Sequence, residues 1–447
     1  MSTRRRRHSH QRQEEAPGSL LMFTGAAAVI GVATGLMAAS FRILLDEITR
    51  LRGELLEWSH GNSFLGLIVV VAVCSAAVAI AASLVHRIEP HAEGSGIPRV
   101  EAVVEGRTEP GSRLILPIKY VGGLLAMGAG LALGREGPSV QMGGNIAVIV
   151  SRALRVTRHD LRVLVAGGAA AGLATAFNAP IAGGVFVLEE LVRRFDPRTT
   201  LATLIASGAG FTGAQVLLSD TTDFHTVPLS TPELAHAPLV LVVGVVTALL
   251  GIFYNRAILA GLHLADTSRW PVEVRAALIG AAVGLLGWFT PTLIGSGNNL
   301  TQEALLGEGT VLASVGILLA RIVLGVVSYA AATPGGLFAP MLVLGSQAGL
   351  IVGLIGVQLL PGASPDPAAL ALIGMASFFT ATVRAPVTGI VLATELTGET
   401  AMLPPMLGAC AVAMLIATVL KSEPIYDTLT ARAARAARIN AAEASHQ

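Results

Sequence analysis

The sequence predicts an all-α, polytopic membrane protein whose two halves repeat one pattern of full and broken helices. Three observations predict it. Hydrophobic residues fill 53% of the 447 positions and charged residues only 13%, against about a quarter charged in a soluble domain. Apolar runs near the roughly 20 residues that cross a bilayer recur along the whole chain, while others are cut short by Gly and Pro. Finally, the same Gly/Pro breaks return at offsets of 202 and 206 residues.

The spans read, in order, Leu20 to Leu45, Phe64 to Val85, Leu114 to Leu133, Leu201 to Leu218, Leu239 to Leu259, Ala276 to Ile294, Val311 to Ala331 and Met402 to Leu420. Mixed full and broken helices predict a transporter or channel rather than a simple anchor. The 50 glycines fit close helix packing, with small-xxx-small pairs at Gly130/Gly134, Gly168/Gly172, Gly280/Gly284 and Gly349/Gly353 read as packing only. Cys74 and Cys410 lie inside apolar runs, so neither a disulfide framework nor a metal site is indicated. The run Arg4 to Arg7 resembles a signal n-region, but the apolar run after it is too long and shows no cleavage site, so it reads as a first membrane helix. Basic groups at the N-terminus, His86 to Arg113, Arg152 to Arg162, Arg193 to Arg198 and Arg432 to Arg438 are placed together on the cytoplasmic face, with both termini inside. The formal charge of +1 gives no reason to invoke nucleic acid.

The repeat is read from spacing. Phe177-Asn178-Ala179-Pro180-Ile181-Ala182-Gly183, with Glu189 following, matches Val383-Arg384-Ala385-Pro386-Val387-Thr388-Gly389, with Glu395 following. Gly134-x-x-x-Pro138 with Gly143 matches Gly336-x-x-x-Pro340 with Gly345. The alternative, that Pro and Gly merely kink ordinary spanning helices, does not explain equal breaks at equivalent positions. The expected organisation is a basic tail over 1–18, a membrane domain over 19–431 with halves near 19–219 and 235–421, a short cytoplasmic helix over 422–431, and a tail over 432–447.

Three loop-to-helix junctions share one grammar: Gly94-Ser95-Gly96-Ile97-Pro98, Gly134-Arg135-Glu136-Gly137-Pro138 and Gly335-Gly336-Leu337-Phe338-Ala339-Pro340. Glycine lets the backbone break, and proline suits the first turn of the new helix, where its missing N–H is no loss. Each junction presents free N–H groups at a helix start, where an anion is favoured. Glu136 places a carboxylate at one such tip, and an intramembrane carboxylate is expensive enough to be a functional hypothesis by default. The structural alternative is a capping carboxylate. A fourth feature, Tyr426, follows the last apolar run.

This set, in this order, resembles the CLC family of chloride channels and chloride/proton antiporters, from about Leu20 to Leu429. The resemblance implies the CLC fold, with repeats of inverted topology. It implies a central chloride site made by the hydroxyls of Ser95 and Tyr426 and by backbone near Gly96, Glu136, Gly137, Leu337 and Phe338, without a full positive charge that would hinder release. Glu136 matches the family's external gating glutamate, blocking the anion path when ionised and leaving it when protonated. Glu190 matches the internal proton-transfer glutamate of the antiporters; the alternative is an ion pair with the adjoining arginines. Glu189 and Glu395 read as structural, at a subunit interface. Arg135 sets local potential or anchors its turn, and Lys119 is either near the pathway or in a structural salt bridge.

The expected function is chloride/proton antiport across the cell (inner) membrane, with a passive chloride channel as the alternative and Glu190 as the discriminating residue. No cofactor or metal is expected: His8 and His10 read as part of a disordered tail, and the chain holds no HExxH, P-loop or nucleophile elbow that would suggest an enzyme. Chloride and protons are the expected partners, in a homodimer with one pore per subunit. About twenty residues follow Tyr426, so the regulatory nucleotide-binding CBS domains of many eukaryotic relatives are not expected. Serine at position 95 argues against the nitrate-preferring and fluoride-exporting relatives.

Overall fold

A computed structural model of the chain describes residues 17–218, 222–227, 229, 233–361 and 364–445; the basic run Arg4 to Arg7, His8 and His10 lie outside them. Among the described residues 17 α-helices form and there is no β-strand beyond isolated bridges. The first half holds α1 (Pro17–Gly61), α2 (Ser63–Arg87), α3 (Ile97–Val104), α4 (Ile115–Gly128), α5 (Glu136–Ala153), α6 (Arg158–Phe177), α7 (Pro180–Phe186) and α8 (Pro197–Ala214). The second holds α9 (Ala237–Asp266), α10 (Val272–Phe289), α11 (Asn298–Leu305), α12 (Val311–Tyr329), α13 (Phe338–Leu359), α14 (Pro367–Val383), α15 (Pro386–Thr397) and α16 (Leu403–Val419). A last helix, α17 (Ile425–Ser445), closes the chain.

The halves match helix for helix. The short α3 and α11 are both eight residues long. The α5–α6 pair packs as α13–α14 does, and α2 packs on its own equivalent, α10. Gly134 and Gly336, 202 residues apart, exchange both backbone hydrogen bonds, at 2.8 and 2.7 Å, in antiparallel sense. Such an exchange between equivalent residues is what a two-fold axis running between the halves requires.

A second exchange is made by side chains. Glu189 accepts hydrogen bonds from the amides of Val387 (3.0 Å) and Thr388 (2.7 Å) at the start of α15. Glu395 accepts from Ile181 (3.0 Å) and Ala182 (2.6 Å) at the start of α7. Helix starts need acceptors for their free N–H groups and favour negative charge, and here each half supplies the other's. Both helices begin at a proline that follows a left-handed residue, Asn178 (φ 53°) and Arg384 (φ 73°). The structural reading of these glutamates therefore has a definite form: they cap helices across the repeat.

Among the described residues eight helices are long and apolar enough to cross a membrane, but they are not the eight read from hydropathy. The spans Leu114 to Leu133 and Leu201 to Leu218 become the shorter α4 and the helix α8, which ends at Ala214. In their place stand α6 and α13. Both are deeply buried; the Gly/Ala-rich α6 carries the weakest hydropathy signal of the eight, whereas α13 is as apolar as several spans read from the sequence and differs from them in its four glycines. Gly168 and Gly172 of α6 meet the α5 backbone at Gly143 and Ser139, and Gly349 of α13 meets α14 at Leu370. Gly130/Gly134 is a correction: Gly130 is left-handed (φ 101°) and Gly134 makes the central bridge, so this pair shapes a loop and packs no helices. The first span runs past its expected end at Leu45 to Gly61. Outside the buried centre, α1, α2, α9, α10, α12 and α16 expose large apolar side chains such as Val29, Phe64, Phe253, Leu278, Leu319 and Leu415, the surface a lipid phase covers.

Candidate functional site

The three junctions meet at the two-fold centre. Gly94 N–H donates to Thr333 O and Gly335 N–H to Gly94 O, both at 3.0 Å. With the Gly134–Gly336 exchange, these bonds tie the starts of α3, α5 and α13 into one knot. Helices begin at Ile97, Glu136 and Phe338, so their unpaired N–H groups lie close together. Ser95, Glu136, Leu337, Phe338 and Tyr426 are all at most 3% exposed, and Gly96 and Gly137 are buried with them. Gly96 is required twice over: its φ is 79°, and a Cβ there would stand 2.7 Å from that of Gln141. Gly137 passes so close to the first junction that a Cβ would lie 2.5 Å from Ser95 Oγ.

The Glu136 carboxylate lies against two backbone amides, its own and that of Ala339 in the first turn of α13. Oε2 has no hydrogen-bond partner among the described residues. A carboxylate from the first half thus rests on the helix start of the second. Arg135 does not reach it. Its guanidinium donates to Ala176 O (3.1 Å) and pairs with Asp223 (3.3 Å) and Asp46 (3.6 Å), anchoring the turn. On one side Glu136 borders a cavity of about 210 Å³ lined also by Asp46, Arg52, Arg135, Ser296 and Asn298.

Tyr426 stands at the start of α17, which packs on α3. Its ring belongs to an aromatic cluster, 6.3 Å from Phe338 and 6.4 Å from Phe186. Phe338 in turn touches Phe177 and Phe379. The phenol is fully buried, yet its hydroxyl has no partner among the described residues. Buried hydroxyls are ordinarily bonded, so this one is a donor suited to a ligand.

Glu190 is 4% exposed. It sits in a π-helical turn, Val187–Leu191, that continues α7; such turns concentrate at functional sites. Arg193 (φ 52°) folds back, donating from Nε to Glu190 O (3.0 Å) and from Nη2 to its carboxylate (3.5 Å). The same guanidinium pairs with Asp427 of α17 and lies 3.9 Å from Glu101. Both readings of Glu190 therefore find support: it is buried, and it is ion-paired.

Lys119 is fully buried and makes no salt bridge among the described residues. Its ammonium donates to the carbonyls of Gly94 (2.6 Å), Ala92 (3.0 Å) and Glu93 (3.4 Å), holding the chain that delivers Ser95. Its counterpart 202 residues on is Arg321, which donates to Leu293 O (2.9 Å), Gly295 O (2.8 Å) and Ser296 O (2.7 Å). Those carbonyls lead into Gly295-Ser296-Gly297 at the start of α11, where both glycines are left-handed, as Gly94 and Gly96 are. This second Gly-Ser-Gly turn, and the buried cation behind it, went unread in the sequence; the basic residue inside the run Val311 to Ala331 was the available signal. Tyr329 was also missed, its hydroxyl 3.5 Å from Ser95 N. Cys74 and Cys410 are buried and free, and no group of metal-ligating side chains occurs among the described residues.

Comparison with known proteins agrees with this geometry. A family model described as voltage gated chloride channel matches residues 76–418. The chain is 34% identical over 418 residues to the H(+)/Cl(-) exchange transporter ClcA of Vibrio parahaemolyticus serotype O3:K6, covering 91% of this chain and 88% of that protein. It is 35% identical over 434 residues to ClcA of Vibrio cholerae serotype O1, covering 94% and 91%. The crystal structure of a slow cyanobacterial Cl−/H+ antiporter superposes with a TM-score of 0.87 at 30% identity, over 92% of this chain and 97% of that one. A CLC-type fluoride/proton antiporter shares the fold, at TM-score 0.75 and 23% identity.

Proposed function

The chain belongs to the voltage gated chloride channel family, and from that membership we propose that it exchanges chloride for protons across a membrane. One observation carries the reading: the Glu136 carboxylate lies on the amides where the helix starts converge. An ionised carboxylate there takes the position that a chloride ion would take. When protonated it loses its attraction to the amides and turns aside, into the neighbouring cavity of about 210 Å³. Chloride then enters, and the proton is committed to one cycle of transport.

In this reading the central chloride accepts from Ser95 Oγ and the Tyr426 phenol and rests against backbone at Gly96, Gly137, Leu337 and Phe338. Dipoles of this kind bind an anion without trapping it, as passage requires. Glu190, buried on the side of α17, hands protons between Glu136 and the far solution, with Arg193 holding it in place. Loss of Glu190 from the relay would leave the passive channel. The basic side chains Arg107, Arg194, Arg198 and Arg432 support a reading in which that face is cytoplasmic by the positive-inside rule, with both termini there and the protein in the cell's inner membrane. Because one chain contains all three junctions, each subunit of a homodimer would hold a complete pore.

The test is simultaneous measurement of chloride and proton flux from liposomes containing the purified protein. Uphill proton movement driven by a chloride gradient is the expected result. Chloride flux whose reversal potential ignores a pH gradient would overturn exchange in favour of the channel. For the independent pore, dimers carrying one inactive subunit should keep half the flux.

A further inference from the structure

Away from the transport centre, a second cavity, of about 250 Å³, opens between the loop after α3 and the α5–α6 connection. Val103, Thr108, Glu109, Pro110 and Leu161 line it together with three arginines, Arg152, Arg158 and Arg162. Arginines on a surface usually find carboxylates or stand alone in solvent. Here three border one hollow with a single carboxylate among them. Arg158 pairs with that carboxylate, Glu109, at 3.1 Å, both side chains being largely exposed. Arg152 and Arg162 have no hydrogen bond or ion pair among the described residues. Gly106, with φ 76°, lies directly beneath the Arg162 guanidinium, so that any Cβ there would strike it. The loop is thus shaped to receive this side chain.

We propose that this pocket binds a phosphate-bearing anion through the guanidiniums of Arg152, Arg158 and Arg162. Guanidinium forks match phosphate oxygens in pairs, and a lining of three positive charges and one negative leaves an excess of positive charge for an anionic phosphate group. Chloride, a single atom, would occupy only one fork. The cavity is smaller than the roughly 300–1,000 Å³ that takes a drug-sized molecule, so it fits a headgroup or a free phosphate and not a whole nucleotide. Leu154, 45% exposed, and Leu114, 50% exposed, stand next in sequence to these basic segments, which puts the rim at the membrane boundary, where basic pockets collect anionic headgroups. The occupant would lie beside Arg107, a neighbour of Thr108 in the same loop. Arg107 donates to buried Glu101 at 2.9 Å, and that carboxylate also takes the Thr430 hydroxyl of α17 at 3.0 Å. The pocket and the ion pairs around Glu190 therefore share one loop.

The full-length protein in detergent, with both faces open, provides the test and requires no transport. One arm titrates inorganic phosphate by calorimetry at constant chloride. The other measures retention of phosphatidylglycerol over phosphatidylcholine by native mass spectrometry. Saturable binding in either arm is expected, weakened about tenfold or more in Arg152→Ala/Arg162→Ala, given the strength of hydrogen bonds to charged groups. Glu109→Gln, which frees Arg158, should tighten it several-fold. Phosphate binding alone identifies a free anion as occupant, and phosphatidylglycerol retention alone identifies a headgroup. Neither probe binding, or equal binding by the double variant and the wild type, overturns the proposal. Should the double variant fail to fold, unchanged affinity in Glu109→Gln overturns it equally.

Discussion

Glu189→Ala and Glu395→Ala, compared side by side, are expected to destabilise the protein to unequal and ordered extents. Glu395 receives two amide hydrogen bonds, at 3.0 and 2.6 Å. Bonds to a charged acceptor contribute about 1.5–3 kcal/mol each, so removing the carboxylate should cost about 3–6 kcal/mol. The upper end applies if lipid or a subunit partner keeps water from the bared amides. Glu189 receives two equivalent amide bonds and a third from the Thr388 hydroxyl, at 2.7 Å. That hydroxyl can turn to another acceptor, so the third bond should add only about 1 kcal/mol. The expected order of stability is wild type, then Glu395→Ala, then Glu189→Ala. The Gln variants, which keep one acceptor oxygen, should fall between wild type and each Ala. Heating in detergent followed by fluorescence-detected size exclusion reads this order, and an irreversible transition still ranks variants at one scan rate. If both Ala variants withstood heat as well as the wild type, or if Glu395→Ala were the weaker, the reciprocal capping argument would fail.

Three further outcomes are expected. Glu136→Gln mimics the protonated gate, so chloride should still pass while proton movement stops and the rise of flux with external acidity flattens; Glu190→Gln should also stop protons yet keep that pH response, and retained coupling would reduce Glu190 to an ion-pair residue. Ser95→Ala and Tyr426→Ala should each weaken chloride binding by about 1.5–3 kcal/mol, the value of a hydrogen bond to an ion, with unchanged calorimetric affinity removing the residue from the site. Lys119→Met releases the carbonyls of Ala92, Glu93 and Gly94 and should lower chloride affinity through a displaced Ser95, whereas wild-type affinity in a folded variant would make the lysine a packing residue only.

What could be read in the sequence was whatever is written in backbone chemistry. Gly-Ser-Gly-Ile-Pro, Gly-Arg-Glu-Gly-Pro and Gly-Leu-Phe-Ala-Pro declare their helix starts because only certain residues permit a left-handed turn or a missing donor. The repeat was legible for the same reason. Hydropathy misled at α6, since a helix buried against other helices needs small side chains more than greasy ones; α13 is apolar enough to be read, and its Gly and Pro positions made it look broken. The partners of Lys119 were illegible because they are carbonyls, which every residue possesses. The cavity after α3 was equally hidden: its arginines form one basic group, Arg152 to Arg162, which in the sequence counted only as a marker of sidedness, and the loop that completes the hollow, Thr108 to Pro110, is distant in sequence. The π turn under Glu190 left no mark either, its Val-Leu-Glu-Glu-Leu being ordinary helical sequence.

The exchanged caps also bear on how the chain is made. Ala182 waits for a carboxylate 213 residues downstream. At about 5–20 residues per second, the start of α7 stays bare for on the order of 10 to 40 seconds after it leaves the ribosome. Its polar amides cannot lie in lipid through that interval without loss. The first half should therefore remain at the translocon, or shielded by a companion protein, until the second arrives. Ribosomes stalled before Glu395 would hold an N-terminal half open to proteases, and a separately supplied C-terminal half should rescue it.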